Sequence, residues 1–170
     1  VLIVEDEADL ADMYAAYLAE YDTTVAYSGE AAIETVEESF DLVVLDRRMP
    51  VVSGNEVLAA IESQGVDCRV AMVTAVNPDF DIIGLRIDDY LVKPVTREEL
   101  RGTVERLLKL DAYNDRVQAL TAKRLKRNVL EVEKTRAELA DNPEFDRLNQ
   151  EIAELEQAID ELDDELDELS

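Results

Sequence analysis

The sequence predicts an α/β protein with a five-stranded, doubly wound parallel sheet, followed by an all-α tail. Over the first 110 residues, five short apolar runs alternate with amphipathic segments. Five β-then-α units with right-handed crossovers favour a parallel sheet that has helices on both faces. After residue 110 no strand pattern appears, and the periodicity is helical throughout. We therefore predict two domains, at 1–110 and 111–170.

The apolar runs have the length of strands that are buried on both faces. These predicted strands are residues 1–4, 23–27, 42–45, 69–73 and 90–92. The amphipathic segments between them predict helices near 8–20, 29–38, 54–63 and 96–110, with a weaker candidate at 78–85. In a sheet of this kind, ligands bind outside the carboxyl ends of the strands, where the winding reverses.

The composition is strongly acidic, because 41 Asp and Glu residues face 17 Lys and Arg and give a net charge of −24. Such a chain repels itself at ordinary ionic strength. Molar salt removes most of this repulsion, since the screening length falls to about 3 Å at 1 M. We therefore expect a cytoplasmic protein of a halophile. The single cysteine, Cys68, excludes an intrachain disulfide, and no apolar run has the length of a membrane span.

The chain contains no histidine. It therefore cannot supply a histidine base, an imidazole metal ligand or a Ser-His-Asp triad. Any phosphohistidine that donates a phosphoryl group to it must belong to another protein.

Polar side chains directly follow four of the predicted strands. They are Glu5, Asp6 and Glu7 after the first strand, Asp46 after the third, Thr74 after the fourth and Lys93 after the fifth. We expect them to meet at one edge of the sheet. Clustered carboxylates suit a hard cation such as Mg²⁺. One carboxylate can then attack phosphorus and form an acyl phosphate, while the metal and the lysine neutralise the transferring group.

Most of these residues, and the nearby Tyr90 of the fifth predicted strand, also have a purely structural interpretation when taken alone. The acids at 5–7 could begin a helix, where negative charge is favourable. Asp46 could be a turn residue, Lys93 a surface charge and Tyr90 a core residue. The prediction of a site depends on all four segments together.

Four motifs resemble those of two-component response-regulator receivers. They are the residues VLIVEDE at 1–7, VLD at 44–46 with MP at 49–50, VTA at 73–75 and YLVKP at 90–94. The resemblance covers about 110 residues in matching order and implies a flavodoxin-like receiver fold. It further implies a phosphoacceptor protein rather than an enzyme, with Mg²⁺ as cofactor and a sensor histidine kinase as partner.

The resemblance implies that Asp46 is the phosphoacceptor. It also implies that Mg²⁺ is bound by Asp6, Glu5, Asp46 and the backbone carbonyl of Arg48. Glu5 stands where aspartate is commoner, so its longer side chain could bind the metal through water. Haloacid-dehalogenase-like phosphatases also use a nucleophilic aspartate and Mg²⁺, but they place a second aspartate where this chain has Arg48. That enzyme class is therefore excluded.

On the same resemblance, Thr74 matches the switch hydroxyl and Lys93 the lysine that pairs with the phosphoryl group. Tyr90 matches the aromatic residue that turns inward on activation. Pro94 follows Lys93, and the bond between them resembles a cis peptide of the family, which X–Pro bonds permit at modest cost.

The tail predicts two helices, at 112–140 and 144–169, joined by a turn at Asp141-Asn142-Pro143. Residues 111–114 could be a break after the first domain or part of a continuous helix. The second helix has a heptad seam with isoleucine or leucine at Leu148, Ile152, Leu155, Ile159, Leu162, Leu166 and Leu169. The predicted inward positions of the first helix are Val117, Leu120, Leu125, Val129, Val132 and Leu139.

Residues 112–140 hold seven basic and four acidic residues, whereas residues 144–170 hold one basic and twelve acidic residues. An antiparallel hairpin brings these opposite charges together and is therefore favoured. The isoleucines and leucines of the second helix also suit a parallel dimer, so self-association through this helix is the main alternative. The hairpin and the dimer can coexist, and we expect a homodimer. The basic cluster at 123–127 could contact DNA. DNA is disfavoured because the neighbouring helix is acidic and no helix-turn-helix or zinc-finger pattern accompanies the cluster.

The tail resembles the C-terminal HalX domain of haloarchaeal receiver proteins, over residues 124–139 and the turn at Pro143. Together the two resemblances imply a switch that passes phosphorylation of Asp46 to a helical output or dimerisation module. Two alternatives stay open: a transcription regulator that contacts DNA through the basic first tail helix, and a coiled-coil scaffold with a non-switching receiver.

Overall fold

The computed structural model describes residues 1–36 and 39–169. Its sheet has five parallel strands in the order β2-β1-β3-β4-β5. The strands are β1 (Leu2–Val4), β2 (Thr24–Ala26), β3 (Leu42–Leu45), β4 (Arg69–Thr74) and β5 (Asp89–Val92). The winding reverses at β1, because β2 and β3 lie on opposite sides of it. The predicted doubly wound fold is confirmed.

The helices are α1 (Ala8–Tyr17), α2 (Gly29–Thr35), α3 (Gly54–Ser63), α4 (Arg97–Glu133), α5 (Arg136–Ala140) and α6 (Pro143–Leu169). The predicted helix at 29–38 ends at Thr35, and residues 37 and 38 lie outside the described residues. The weak candidate at 78–85 is a 3₁₀ helix, Phe80–Gly84, without a buried residue. Such a segment has no packed face to stabilise a longer α-helix.

Helices cover both faces of the sheet. Alternate strand residues point to opposite faces, so Val43 and Leu45 pack with α2 and α3, and Leu42 and Val44 pack with α1 and the start of α4. The carboxyl edge of the sheet is thereby held between two apolar layers.

The chain forms two compact units, Val1–Leu108 and Lys109–Ser170. The helix α4 includes residues 111–114, so the continuous helix is the arrangement observed there. None of the helices in the described part of the chain is both long enough and apolar enough to cross a membrane.

In the second unit, ion pairs join the later part of α4 to α6. They are Lys109–Glu165 at 3.2 Å, Lys123–Glu151 at 2.7 Å and Arg124–Glu156 at 2.9 Å. Glu165 lies after Glu151 in α6, whereas its partner Lys109 lies before Lys123 in α4, so the two helices are antiparallel. Leu120, Ile152 and Leu162 are buried in this unit.

Two predictions for the first tail helix are wrong. Leu125, Val129 and Val132 were expected to face inward, but they are 61%, 61% and 82% exposed. At 100° per residue they lie 120–180° around α4 from the buried Leu120. The helix also ends before residue 140, because Thr135 and Glu138 form a capping box that begins α5.

Candidate functional site

The sheet positions three of the candidate residues through its backbone. The amide of Glu5 donates to the carbonyl of Ala26 at 3.1 Å, and the amide of Asp46 donates to that of Val4 at 2.9 Å. The amide of Lys93 donates to the carbonyl of Thr74 at 2.8 Å. Each bond continues the ladder one residue past a strand, so the three side chains leave the same edge of the sheet.

At this edge the structure gathers an acidic cluster. One carboxylate oxygen from each of Glu5, Asp6 and Asp46 lies within 4.8 Å of the others. Lys93 Nζ lies 2.8 Å from Oε2 of Glu5 and 3.4 Å from Oδ2 of Asp46. Glu5 and Asp46 are only 1% and 5% exposed, so a cation is needed beside them.

The electrostatics of the cluster follow from burial and from the neighbouring charges. Burial raises the pKa of Glu5, and the charge of Asp46 adds to this, while the hydrogen bond from Lys93 opposes it. Burial works against the charge of Lys93. The hydrogen bond with Glu5 and the charges of Asp46 and Glu5 outweigh it and raise the pKa of Lys93. Lys93 is therefore a firmly charged ammonium group beside the carboxylates.

The cluster has the chemistry of a magnesium site. Its donors are carboxylate oxygens, which are ligands that Mg²⁺ prefers. Glu5 Oε1 also accepts a hydrogen bond from the amide of Glu7 at 3.3 Å, which helps to fix the side chain. Receiver domains in general bind Mg²⁺ at an acidic pocket of this type.

Thr74 and Tyr90 meet at a third residue, Val76. The Thr74 hydroxyl accepts a hydrogen bond from the Val76 amide at 3.4 Å, and Thr74 is 1% exposed. The Tyr90 hydroxyl donates to the Val76 carbonyl at 2.7 Å. Tyr90 also packs against the core, as its structural interpretation required. Both predicted switch residues thus hold the segment that follows β4.

The two arginines after Asp46 differ in their surroundings. The Arg47 side chain is 13% exposed and forms an ion pair with Asp81 of the 3₁₀ helix. Arg48 is exposed, and both arginines line a groove with Asn77 and Asp79. A metal-binding role for the Arg48 carbonyl stays a prediction. The Lys93–Pro94 peptide bond is cis.

Two residues beside the cluster were missed by the sequence analysis. A Cβ atom at Gly54 would overlap the backbone oxygen of Asp46, and the Gly54 amide donates to the Arg47 carbonyl at 2.7 Å. Burial raises the pKa of Tyr14 to about 12, with Lys93 opposing and Glu5 contributing. The capping residue Ser53 could have predicted that α3 starts at Gly54. No local sequence pattern indicated a role for Tyr14.

Comparison with known families identifies both parts of the chain. The response regulator receiver domain matches residues 1–105, and the HalX domain matches residues 109–170. Members of the receiver family are phosphoacceptors.

Two curated relatives match part of this chain. A "Putative transcriptional regulator" of Haloferax volcanii is 46% identical over 120 residues, covering 69% of this chain and 21% of that protein. The transcriptional regulatory protein CutR of Streptomyces coelicolor is 42% identical, covering 63% and 52%. The chain thus spans about half or less of the length of these relatives. The first relative supports the link to a halophilic archaeon.

Solved structures agree with the fold. The "signal receiver domain of putative Luxo repressor protein" from Vibrio parahaemolyticus is 30% identical with a TM-score of 0.64, covering 68% of this chain and 94% of that one. The response regulator TrrA of Thermotoga maritima, solved in complex with Mg²⁺-BeF, is 31% identical with a TM-score of 0.54, covering 62% and 96%. The protein belongs to the response regulator receiver family, and a HalX domain follows its receiver.

Proposed function

We propose that this protein is a phosphoacceptor switch, in which a sensor histidine kinase phosphorylates Asp46 and the change is passed to the helical tail. One observation carries the proposal: a nearly buried aspartate lies 3.4 Å from a lysine ammonium group, within a cluster of three carboxylates. These 170 residues contain no histidine, so the phosphohistidine of the proposed transfer would lie outside them.

The transfer needs no base from this chain. An oxygen of the ionised Asp46 attacks the phosphorus of the kinase's phosphohistidine, so that an O–P bond forms and the P–N bond breaks. The electron pair of the broken bond stays on the histidine nitrogen. Lys93 would pair with the phosphoryl oxygens as they approach Asp46. The 3.4 Å distance between its Nζ and Oδ2 of Asp46 supports this role.

Glu5, Asp6 and Asp46, with the Arg48 carbonyl, would hold Mg²⁺, which neutralises charge on the phosphoryl group when it is bound. The cluster supports this assignment through its oxygen donors and its burial. The solved relative TrrA was crystallised with Mg²⁺-BeF, which is further support.

Phosphorylation would draw the Thr74 hydroxyl toward the new anion. That hydroxyl accepts from the Val76 amide, so its movement would release Val76. The Tyr90 hydroxyl, which donates to the Val76 carbonyl, would lose that bond and keep its contact with Arg47, which would favour an inward turn of the ring. The segment between β4 and β5 and the surface around it would then change. We expect this change to alter self-association through the tail.

The test is phosphotransfer from a candidate histidine kinase to the wild-type protein and to Asp46→Asn. A matched control is Asp67→Asn, since Asp67 lies before β4 and away from the cluster. We expect label on the wild type and on Asp67→Asn, and none on Asp46→Asn. Label that persists on Asp46→Asn would overturn the assignment. Light scattering with and without an acyl-phosphate donor measures the output, and identical masses and shapes would contradict it.

A DNA-binding regulator is the second candidate, and the names of both curated relatives favour it. Against it, Lys123 and Arg124 of the basic cluster are already paired with Glu151 and Glu156. Charge reversal at Lys126 and Arg127 tests this candidate, because a DNA-binding protein would lose retention on DNA. A scaffold with a non-switching receiver would instead behave identically after Asp46→Asn.

A further inference from the structure

The later part of α4 carries an apolar stripe that the described part of the tail leaves largely exposed. The stripe consists of Leu125, Val129 and Val132, which are 61%, 61% and 82% exposed. They are spaced by four and then three residues, which is the spacing of a coiled-coil seam. Leu120, on the opposite side of α4, is 6% exposed within the tail. Leu125 and Val129 line an apolar groove together with Leu139, Phe145 and Leu148. The hairpin nevertheless leaves more than half of each stripe residue exposed.

The α6 seam does not bury the stripe, although its residue Leu148 lines the groove beside Leu125 and Val129. The rest of the seam is used within the hairpin. Ile152 and Leu162 are 2% and 8% exposed, and ion pairs on α6 hold it against the inner side of α4. The self-association that the sequence suggested through α6 would require this hairpin to open. A second copy of the chain can reach the stripe with the hairpin intact.

We propose that the stripe binds the same stripe of a second copy, with the two α4 helices antiparallel. A two-fold axis at Val129 would place Val129 beside its equivalent and Leu125 within about 1.5 Å, along the helix, of Val132 of the second copy. The contact is then isologous, which is the commonest way for identical chains to associate. The inference deepens the tail self-association of the proposed function and does not depend on phosphorylation of Asp46.

Charge selects this orientation. Lys126 and Glu133 each follow a stripe residue directly, so they lie on the same flank of the stripe. In an antiparallel pair each flank meets its own equivalent, so Lys126 would meet Glu133 of the second copy, and this pairing would occur twice. In a parallel pair Lys126 would face the other flank, where Thr121 and Asn128 carry no charge. Flanking charges of this kind set partner and orientation in coiled coils.

The expected dimer is small and dissociates on dilution. The stripe and its flanking charges span about three helical turns, which places the contact in the transient class of interfaces. The net charge of −24 on each chain opposes association at low ionic strength. Molar salt screens that repulsion and leaves the apolar contact, so association should strengthen with KCl.

The first experiment is sedimentation velocity of the full chain over a range of concentrations, at the lowest KCl concentration at which it is folded. Val129→Asp should weaken the dimer by about tenfold or more, because two carboxylates would then meet at the axis. Glu133→Lys and Lys126→Glu should each weaken it several-fold, and the double exchange should restore it. Glu131→Lys makes the same charge change off the stripe and should leave the dimer unchanged.

The second experiment traps the orientation by disulfide formation in a Cys68→Ser background. Val129→Cys should cross-link readily, because its equivalent lies at the axis. Leu125→Cys should not, because an antiparallel arrangement separates the two copies of residue 125 by about 12 Å along the helix. Equal cross-linking of both variants would indicate a parallel pair and overturn the proposal. The proposal would also be overturned if Val129→Asp associated as strongly as the wild type while its circular dichroism spectrum was unchanged. Both experiments use unphosphorylated protein, so failure of phosphotransfer leaves them interpretable.

Discussion

Lys93 Nζ donates a hydrogen bond to Oε2 of Glu5 at 2.8 Å and lies 3.4 Å from Oδ2 of Asp46. The ammonium group of Lys93 therefore compensates the negative charge of both carboxylates in the unphosphorylated protein. Since Glu5 follows β1 and Lys93 follows β5, this contact also joins chain segments that are 88 residues apart.

Lys93→Met should destabilise the protein, because it leaves two nearly buried carboxylates without their cation. Removing one partner of a buried pair costs about 3–5 kcal/mol, and the 17% exposure of the Lys93 side chain favours the lower end of that range. Urea unfolding at fixed KCl without Mg²⁺ measures the loss. Glu5→Gln in the Lys93→Met background should recover part of the lost stability.

The control for this prediction is Arg101→Met, which breaks the exposed pair with Glu20. It should cost less than about 1 kcal/mol. Equal losses for the two single variants would contradict the role of burial.

Mg²⁺ should raise the melting temperature of the wild-type protein. A ligand that binds only the folded state stabilises it by about 2.7 kcal/mol at a hundredfold excess over Kd. Thermal unfolding in KCl, with MgCl₂ against EDTA at matched ionic strength, measures the effect. Asp6→Asn should remove most of it, whereas Asp9→Asn, on the exposed first turn of α1, should retain it. A magnesium shift that survives Asp6→Asn would show that the ion binds elsewhere.

Gly54→Ala should destabilise the protein by about 2 kcal/mol or more, because its Cβ would overlap the backbone of Asp46 and force a shift. Phosphorylation of Asp46 should fall with it. Gly102→Ala is the matched control, since a Cβ placed there would meet no described atom within 4 Å outside the neighbouring backbone of its own helix, α4. Alanine should stabilise that position by about 0.5–1 kcal/mol. Both changes are read from denaturant midpoints, and similar values for the two would refute the close approach.

The tail should lose stability as the pH falls through the titration of Glu151. The hydrogen bond from Lys123 lowers the pKa of Glu151 below its usual value of 4.5. A carboxylate with a lowered pKa in the folded state contributes stability above the unfolded pKa, and this stability is lost as the pH falls through the folded pKa. Between pH 6 and pH 3, the melting temperature should therefore depend less steeply on pH for Lys123→Met than for the wild type. Lys134→Met, outside this pair, should keep the wild-type slope.

The sheet and the position of the acidic cluster could be predicted because both follow from local patterns. Short apolar runs buried on two faces are strands, and the residue after each parallel strand lies at a common edge. The positions of Glu5, Asp46 and Lys93 at this edge could be predicted from this rule alone. Gly54 and Tyr14 could not be found in this way, because their importance depends on distances to chain segments far away in sequence.

The tail was harder to predict because α4 has two apolar faces. Periodicity alone does not say which face is covered within the chain, so Leu125, Val129 and Val132 were assigned to the wrong side. The end of α4 was readable from Thr135 and Glu138, whose spacing is that of a capping box. The 3₁₀ helix was uncertain because Phe80 and Ile83, at 84% and 79% exposure, have no packing to define a helical face.

The buried Tyr14 gives this protein a natural optical probe of its own site. The chain has no tryptophan and six tyrosines, so tyrosine emission is not masked by a stronger fluorophore. Tyr14 is 2% exposed and senses the charges of Lys93, Glu5 and Asp46. Ion binding at the cluster or phosphorylation of Asp46 would therefore change the fluorescence and the ultraviolet difference spectrum of Tyr14. Tyr14→Phe would identify the signal without any attached dye.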